Sequence, residues 1–277
     1  MFSHRIKEFL DFLTLPVYIV RGKLPHTLGY YTAKRRTIEN SIDSRLMVEG
    51  KKLPKGYGIH IDERSVEYPW VYSRLPAQPG EMLDAGSAFN FEFLLNRPPV
   101  SAAKLTICTL SPEKRAYFRR GISYVYCDLR NSVFRSQQFD TIVSVSTLEH
   151  IGLDNTLFYT SDSSKRESDA LSYLAAVREL RRLIKPGGNC FITVPYGRPV
   201  IGGWFQVFGK EGIKAIVREF APSQHAVDYF GYFQTGWQEA AAEEIAEAVY
   251  FDINTRKGYD EDFAAGSRGV ACLWMKA

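Results

Sequence analysis

Residues 81–90 read Glu81-Met82-Leu83-Asp84-Ala85-Gly86-Ser87-Ala88-Phe89-Asn90: a short apolar strand that ends in an acid and runs at once into small residues. Met82 and Leu83 close the strand, and Asp84 sits at its carboxyl end. Gly86, Ser87 and Ala88 lack bulk, so the backbone can turn sharply and a ligand can come close to it. A strand that ends this way before a helix has the shape of the nucleotide-binding crevice of a doubly wound sheet.

Strand and helix patterns alternate downstream. Residues 105–110 read as strand two. Ser111-Pro112-Glu113 reads as a helix start, with Ser as cap, Pro at the first helical position and Glu in the first turn. Residues 122–127 and 141–146 read as strands three and four. Leu171, Leu174, Val177, Leu180 and Ile184 form one face of a helix predicted over 168–185, with Arg178, Arg181 and Arg182 toward water and Pro186-Gly187-Gly188 as its stop. Residues 190–194 read as strand five. An alanine- and glutamate-rich helix is expected over 238–247, and two strands joined by a polar loop over 249–253 and 270–275. Repeated strand–helix units with short turns predict an α/β, doubly wound, mostly parallel sheet covered on both faces.

Four segments in this order resemble the class I S-adenosylmethionine-dependent methyltransferases, over about residues 80–195. Leu83-Asp84-Ala85-Gly86-Ser87-Ala88 is similar to the cofactor-gripping first turn, and Tyr126-Cys127-Asp128-Leu129 to the acidic turn after strand three. Residues 139–150, Phe139-Asp140 through Leu148-Glu149-His150, resemble the fourth strand and its carboxyl end. Residues 178–188, Arg178-Glu179-Leu180 through Pro186-Gly187-Gly188, resemble the helix and turn before strand five. The resemblance implies a Rossmann-like sheet of seven strands, the last antiparallel, with S-adenosylmethionine as cofactor. It implies that Asp84 helps hold the ammonium of the cofactor's tail and that the open turn at Gly86, Ser87 and Ala88 takes tail and ribose. Asp128 would accept from the adenine amino group, and the Leu129 amide would donate to the ring. Ser146 falls at the crevice end of strand four. Ala88 and Asn90 stand where the family has its second and third glycines, and Thr109 where it has the acid that bridges both ribose hydroxyls. A threonine offers one hydrogen bond and no charge, a loss of about 1–2 kcal/mol, for which Asn90 or Glu92 could compensate.

Methyl transfer asks mainly for positioning, plus a base when the acceptor is a hydroxyl. Glu149 and His150 are the candidates, just past strand four; imidazole titrates near neutral pH and can take such a proton. No third ligand accompanies them that would suggest a metal site. Tyr159, in a polar insertion, and Tyr196 and Arg198, after strand five, are candidate acceptor contacts. Arg64, Glu67, Tyr68 and Trp70 precede strand one and could fold over the site. The expected reaction is O-methylation of a small-molecule or glycan acceptor. The alternative is a non-catalytic binding protein with a degenerate cofactor site; a nicotinamide dehydrogenase is disfavoured because GxGxxG spacing is missing.

The 277 residues are 45% hydrophobic and 24% charged, with net charge +4 and scattered basic residues, so no nucleic-acid partner is expected. Cys108, Cys127, Cys190 and Cys272 lie in or at the end of apolar runs and read as reduced thiols. No signal peptide or membrane-spanning run is seen, which suits a cytoplasmic protein. Phe2, Ile6, Phe9, Leu10 and Leu13 share a helical face near basic residues, so peripheral contact of residues 1–20 with the inner membrane surface is a further expectation. Residues 1–75 read as a helical extension and 76–277 as the methyltransferase domain.

Overall fold

The structure, a computed structural model, describes residues 13–48, 51–113, 115–156 and 162–277. The expected apolar face of residues 2–12 and the candidate Tyr159 lie outside the described residues. Helices come first: α1 over 13–20, α2 (Tyr30–Asp43) and α3 (Arg64–Arg74). Then follow β1 (Glu81–Ala85), a short α4 (Glu92–Leu95), β2 (Lys104–Thr109), β3 (Ser123–Tyr126) and β4 (Phe139–Val145). After these come α5 (Tyr173–Leu183), β5 (Ile184–Pro195), a small hairpin of β6 (Val200–Ile201) and β7 (Gln206–Val207), and α6 (Lys210–Phe220). The chain ends with β8 (Gln224–Phe233), β9 (Gly236–Glu239) and β10 (Gly269–Lys276).

The main sheet has the order β3-β2-β1-β4-β5-β10-β8-β9. Strands β1 to β5 are parallel, and β10 is antiparallel to both of its neighbours. Strand residues alternate between two cores, as the period of two demands. Met82, Ile107, Val143, Phe191 and Cys272 face the helices that precede β1, in one core with Val66, Trp70 and Val71. Leu83, Cys108, Ile142, Ile192 and Leu273 face α5 and α6, with Val177, Leu180, Ile213 and Ile216. Both faces are therefore covered, as the sequence predicts for parallel strands.

Five expectations are corrected. The sheet has eight strands, not seven, because β9 extends it as a hairpin partner of β8. The partner of β10 on that side is β8, not residues 249–253. The helix expected over 238–247 is replaced by β9 and a run of turns. The reason is tertiary: the Trp237 amide and indole donate to the carbonyls of Tyr57 and Ile61, each at 2.8 Å, and this anchoring overrides local helix propensity. Ser111-Pro112-Glu113 starts no helix either. Asn90 ties the segment down by donating to Glu113 (2.6 Å) and to the Arg115 carbonyl (2.9 Å). Finally, α5 begins at Tyr173, because the Asp169 carboxylate accepts from the Leu171 amide and the Ser172 hydroxyl and makes a turn of the residues before it. Its buried face is Tyr173, Ala176, Val177, Leu180 and Leu183, while Leu171 is exposed and Ile184 already belongs to β5.

This order fixes where a ligand can sit. Neighbouring β1 and β4 carry their chain connections to opposite sides, so the crevice of the fold opens at their carboxyl ends. Ala85, Thr109, Tyr126 and Val145 end the four strands at that edge.

Candidate active site

A cleft of about 520 Å³ opens at that edge, within the range of small-ligand sites. One wall is the β1 turn. Gly86 has φ +119°, and a side chain there would run into Thr147 on the far side of the crevice. Asp84 is fully buried, and its two oxygens accept from the Ala88 amide (3.1 Å) and the Phe89 amide (2.8 Å). It braces the turn from inside instead of facing the cleft. Burial pushes its pKa up to about 7 against those two bonds. The Ser87 Oγ is buried with no hydrogen-bond partner among the described residues. Ala88 turns its carbonyl to the Tyr68 hydroxyl at 2.8 Å. Asn90 does not reach the cleft. Besides its two donor bonds, its oxygen accepts from the Tyr124 hydroxyl at 2.9 Å, so it cannot compensate for Thr109.

The second wall is formed by the ends of β2 and β3. Thr109, Leu110 and Ser111 line it, as do Cys127, Asp128 and Leu129. Arg130 holds the Asp128 carboxylate through its amide (2.8 Å) and its guanidinium (2.5 Å), and reaches Glu167 of the insertion at 2.7 Å. Burial raises the Asp128 pKa, but the Arg130 bonds and charge outweigh it and keep the carboxyl below its ordinary value. Arg130 follows Asp128 by two residues, and that spacing was the available signal for a partner the sequence reading missed. Replacing Asp128 by alanine is expected to weaken cofactor binding about 10–100-fold, the loss of a charge-assisted contact. Calorimetric titration with S-adenosylhomocysteine checks this, and an unchanged affinity would remove Asp128 from the site.

The third wall follows β4. Ser146 (φ +47°), Thr147 and His150 line the cleft, and Glu149 lies behind them, 2% exposed. Glu149 Oε1 accepts from the Ser146 hydroxyl at 2.5 Å and lies 3.8 Å from His150 Nε2; its Oε2 is buried without a partner among the described residues. Burial pushes the Glu149 pKa up to about 8, against the Ser146 bond and the charge of Arg64. His150 stacks on Trp204, with ring centres 5.2 Å apart, and its Nδ1 donates to the Trp204 carbonyl at 2.9 Å. Burial pushes its pKa down to about 4, outweighing the Trp204 bond, so the ring is neutral at pH 7 with its lone pair on Nε2. Trp204, on the loop between β6 and β7, had no local signal in the sequence.

A polar chain runs from this wall into α3. The Ser146 amide donates to Thr193 Oγ1 (3.2 Å), which donates to Glu67 Oε1 (2.7 Å), and Arg64 pairs with Glu67. Tyr68 and Trp70 are core residues beside this chain. Tyr196 and Arg198 are not part of the cleft, which corrects the sequence expectation. Tyr196 is buried against Tyr229 at 4.8 Å, and Arg198 is an exposed residue whose amide donates to the Ala248 carbonyl. The chain folds back after β5 to pair Tyr196 with Phe208, and this carries both side chains away. Among the described residues, no three His, Cys, Asp or Glu side chains are grouped to hold a metal ion.

The residues fit the expected cofactor: a backbone cradle at Gly86 and an acid, Asp128, beside Leu129 line one cleft, and the buried hydroxyl of Ser87 follows Gly86 in the turn. Residues 83–192 match the family model described as a methyltransferase domain. No curated protein matches the chain. Among solved structures, it is similar to the CurJ carbon methyltransferase at 12% identity and TM-score 0.41, covering 76% of this chain and 53% of that one, so it spans about half of that protein. A methyltransferase from Mesorhizobium loti aligns at 14% identity and TM-score 0.44, over 76% of this chain and 97% of the other. One from Thermotoga maritima aligns at 14% identity and TM-score 0.46, over 95% and 99%. The assignment rests on the matched segment, which contains the β1 turn, the acidic turn after β3 and the end of β4. Over residues 83–192, then, the chain carries a methyltransferase domain.

Proposed function

We propose that this domain methylates a hydroxyl oxygen of a small-molecule or glycan acceptor, with His150 as base and Glu149 as its partner. The observation that carries the reading is the bond from His150 Nδ1 to the Trp204 carbonyl, which leaves the lone pair on Nε2 of a cleft-lining ring. When bound, S-adenosylmethionine supplies an electrophilic methyl group. Nε2 takes the acceptor's hydroxyl proton as the oxygen is methylated. Gly86, Thr109, Asp128, Leu129 and Ser146 would hold the cofactor, while Asp84, Ala88 and Asn90 keep the turn in shape around Ser87. Residues 1–75 serve as the cap through which Arg64 and Glu67 support the site. The working location is the cytoplasm or the inner surface of a membrane, with residues 1–20 toward it.

The test uses methyl-labelled cofactor and fractionated small molecules and glycans as acceptors. Fragmentation of the labelled product is expected to place the methyl on oxygen, and label on nitrogen or carbon would overturn the reading.

A further inference from the structure

Helix α1 has an inner and an outer side. Tyr18 is buried beside Tyr30, and Thr14 and Tyr18 press on Gly29 so closely that no side chain fits there. The outer side carries Leu13, Pro16, Val17 and Val20, spaced i, i+3, i+4, i+7 along one stripe. Val20 is 87% exposed and Leu13 49%. The contact at Gly29 brings α1 against the start of α2, where Leu28 is 56% and Tyr31 68% exposed. Single exposed apolar residues are ordinary, but a joined set of them calls for a partner.

Charge says which partner. Residues 13–38 contain Arg21, Lys23, Lys34, Arg35 and Arg36 and no acid. Lys34 pairs with Asp62 and Arg35 with Glu39. Arg21 and Lys23 are exposed just past Val20, at the end of the stripe. An apolar stripe that ends in exposed cations complements an anionic bilayer, whose interior takes the side chains and whose headgroups take the charges.

We propose that this face docks on an anionic lipid bilayer, with Leu13, Val20, Leu28 and Tyr31 in the interface and Arg21, Lys23 and Arg36 among the headgroups. The proposal rests on the peripheral location in the functional reading and gives it a surface. That surface is tied to the site: Tyr30 and Lys34 hold the Asp62 carboxylate at 2.8 and 2.6 Å, two residues before Arg64. A docked enzyme would thus meet its acceptor with the cap braced against the membrane.

The test is sedimentation of the full chain with vesicles of phosphatidylcholine alone and of phosphatidylcholine with phosphatidylglycerol. Every protein is also titrated with S-adenosylhomocysteine to show that it is folded. The wild type is expected to bind the anionic vesicles at least about tenfold better, and to leave them near 1 M salt, where charges are screened within about 3 Å. Arg21→Glu with Lys23→Glu is expected to weaken binding about 20-fold or more, from roughly fivefold per cation. Val20→Glu with Tyr31→Glu should abolish it. Equal binding to both vesicles, no binding, or unchanged binding by the Val20/Tyr31 variant would each overturn the proposal. So would self-association without lipid that this variant removes, since the occupant would then be a second copy. Failed docking with intact cofactor binding leaves the methyltransferase standing, and lost cofactor binding counts against the site instead.

Discussion

Replacing His150 by alanine will lower the methyl-transfer rate about 10²–10⁴-fold, the usual contribution of a positioned general base, and leave the affinity for S-adenosylhomocysteine nearly unchanged. The asymmetry follows from where the ring sits. It lines the cleft at the end of β4, while Asp128, the residue proposed to hold the adenine, lines the cleft from the end of β3. The pH profile tests more than the mutation does. His150, pushed down to about 4, is neutral and ready over the whole working range. Once it takes a proton it becomes a cation in a buried place that already lowers its pKa, with Arg64 adding to the effect. Among the described residues Glu149 lies 3.8 Å away, and it can compensate for that charge only when ionised. Its pKa stands at about 8, so the rate should climb with pH through that value. Glu149→Gln should remove the climb while the variant remains folded. A rate that is flat from pH 6 to about 9, or a His150→Ala enzyme with full turnover, would take the dyad out of the chemistry.

What the sequence could reveal depended on the range of the forces involved. The β1 turn, the acidic turn at Asp128 and the end of β4 are local: small residues after a strand, or an acid at its end, act within a few positions. Strands β1 to β5 likewise declare themselves as short apolar runs. The role of Asp84 was not legible. A carboxylate at a strand end can face a ligand or its own turn, and only the fold decides that it takes the Ala88 and Phe89 amides. The far side of the sheet was misjudged for a similar reason: residues 238–247 have helical composition, yet Trp237 is fixed by the Tyr57 and Ile61 carbonyls, about 180 positions away. Trp204 reaches His150 across 54 positions through a hairpin too short to show as a periodic pattern. Each miss is a long-range contact overriding a local preference.

Arg64→Met is expected to cost about 3–5 kcal/mol of stability at neutral pH, the price of leaving buried carboxylates without their cation. Among the described residues, Glu67 is fully buried and has Arg64 as its ion-pair partner; Glu63 lies 4.0 Å from the same guanidinium, and Glu149 feels its charge. Glu63 is already pushed up to about 7, by burial and then by Asp62, and Glu149 to about 8. The sign of the pH dependence follows. Between the unfolded carboxyl range near pH 4.5 and these folded values, the native state binds protons that the unfolded chain has lost, so stability falls as pH rises. Arg64 holds both Glu63 and Glu149 down, so removing it raises these two carboxyls further and steepens that fall. Urea unfolding should therefore find the variant close to the wild type near pH 5 and far below it near pH 8. A deficit of the same size at both pH values would mean that lost packing, not lost charge, explains it. Adding Glu67→Gln to Arg64→Met should recover part of the stability, because the two side chains belong to one network and their effects are not additive. If instead the two losses sum, the ion pair between α3 and the site is not the tie that holds the cap in place.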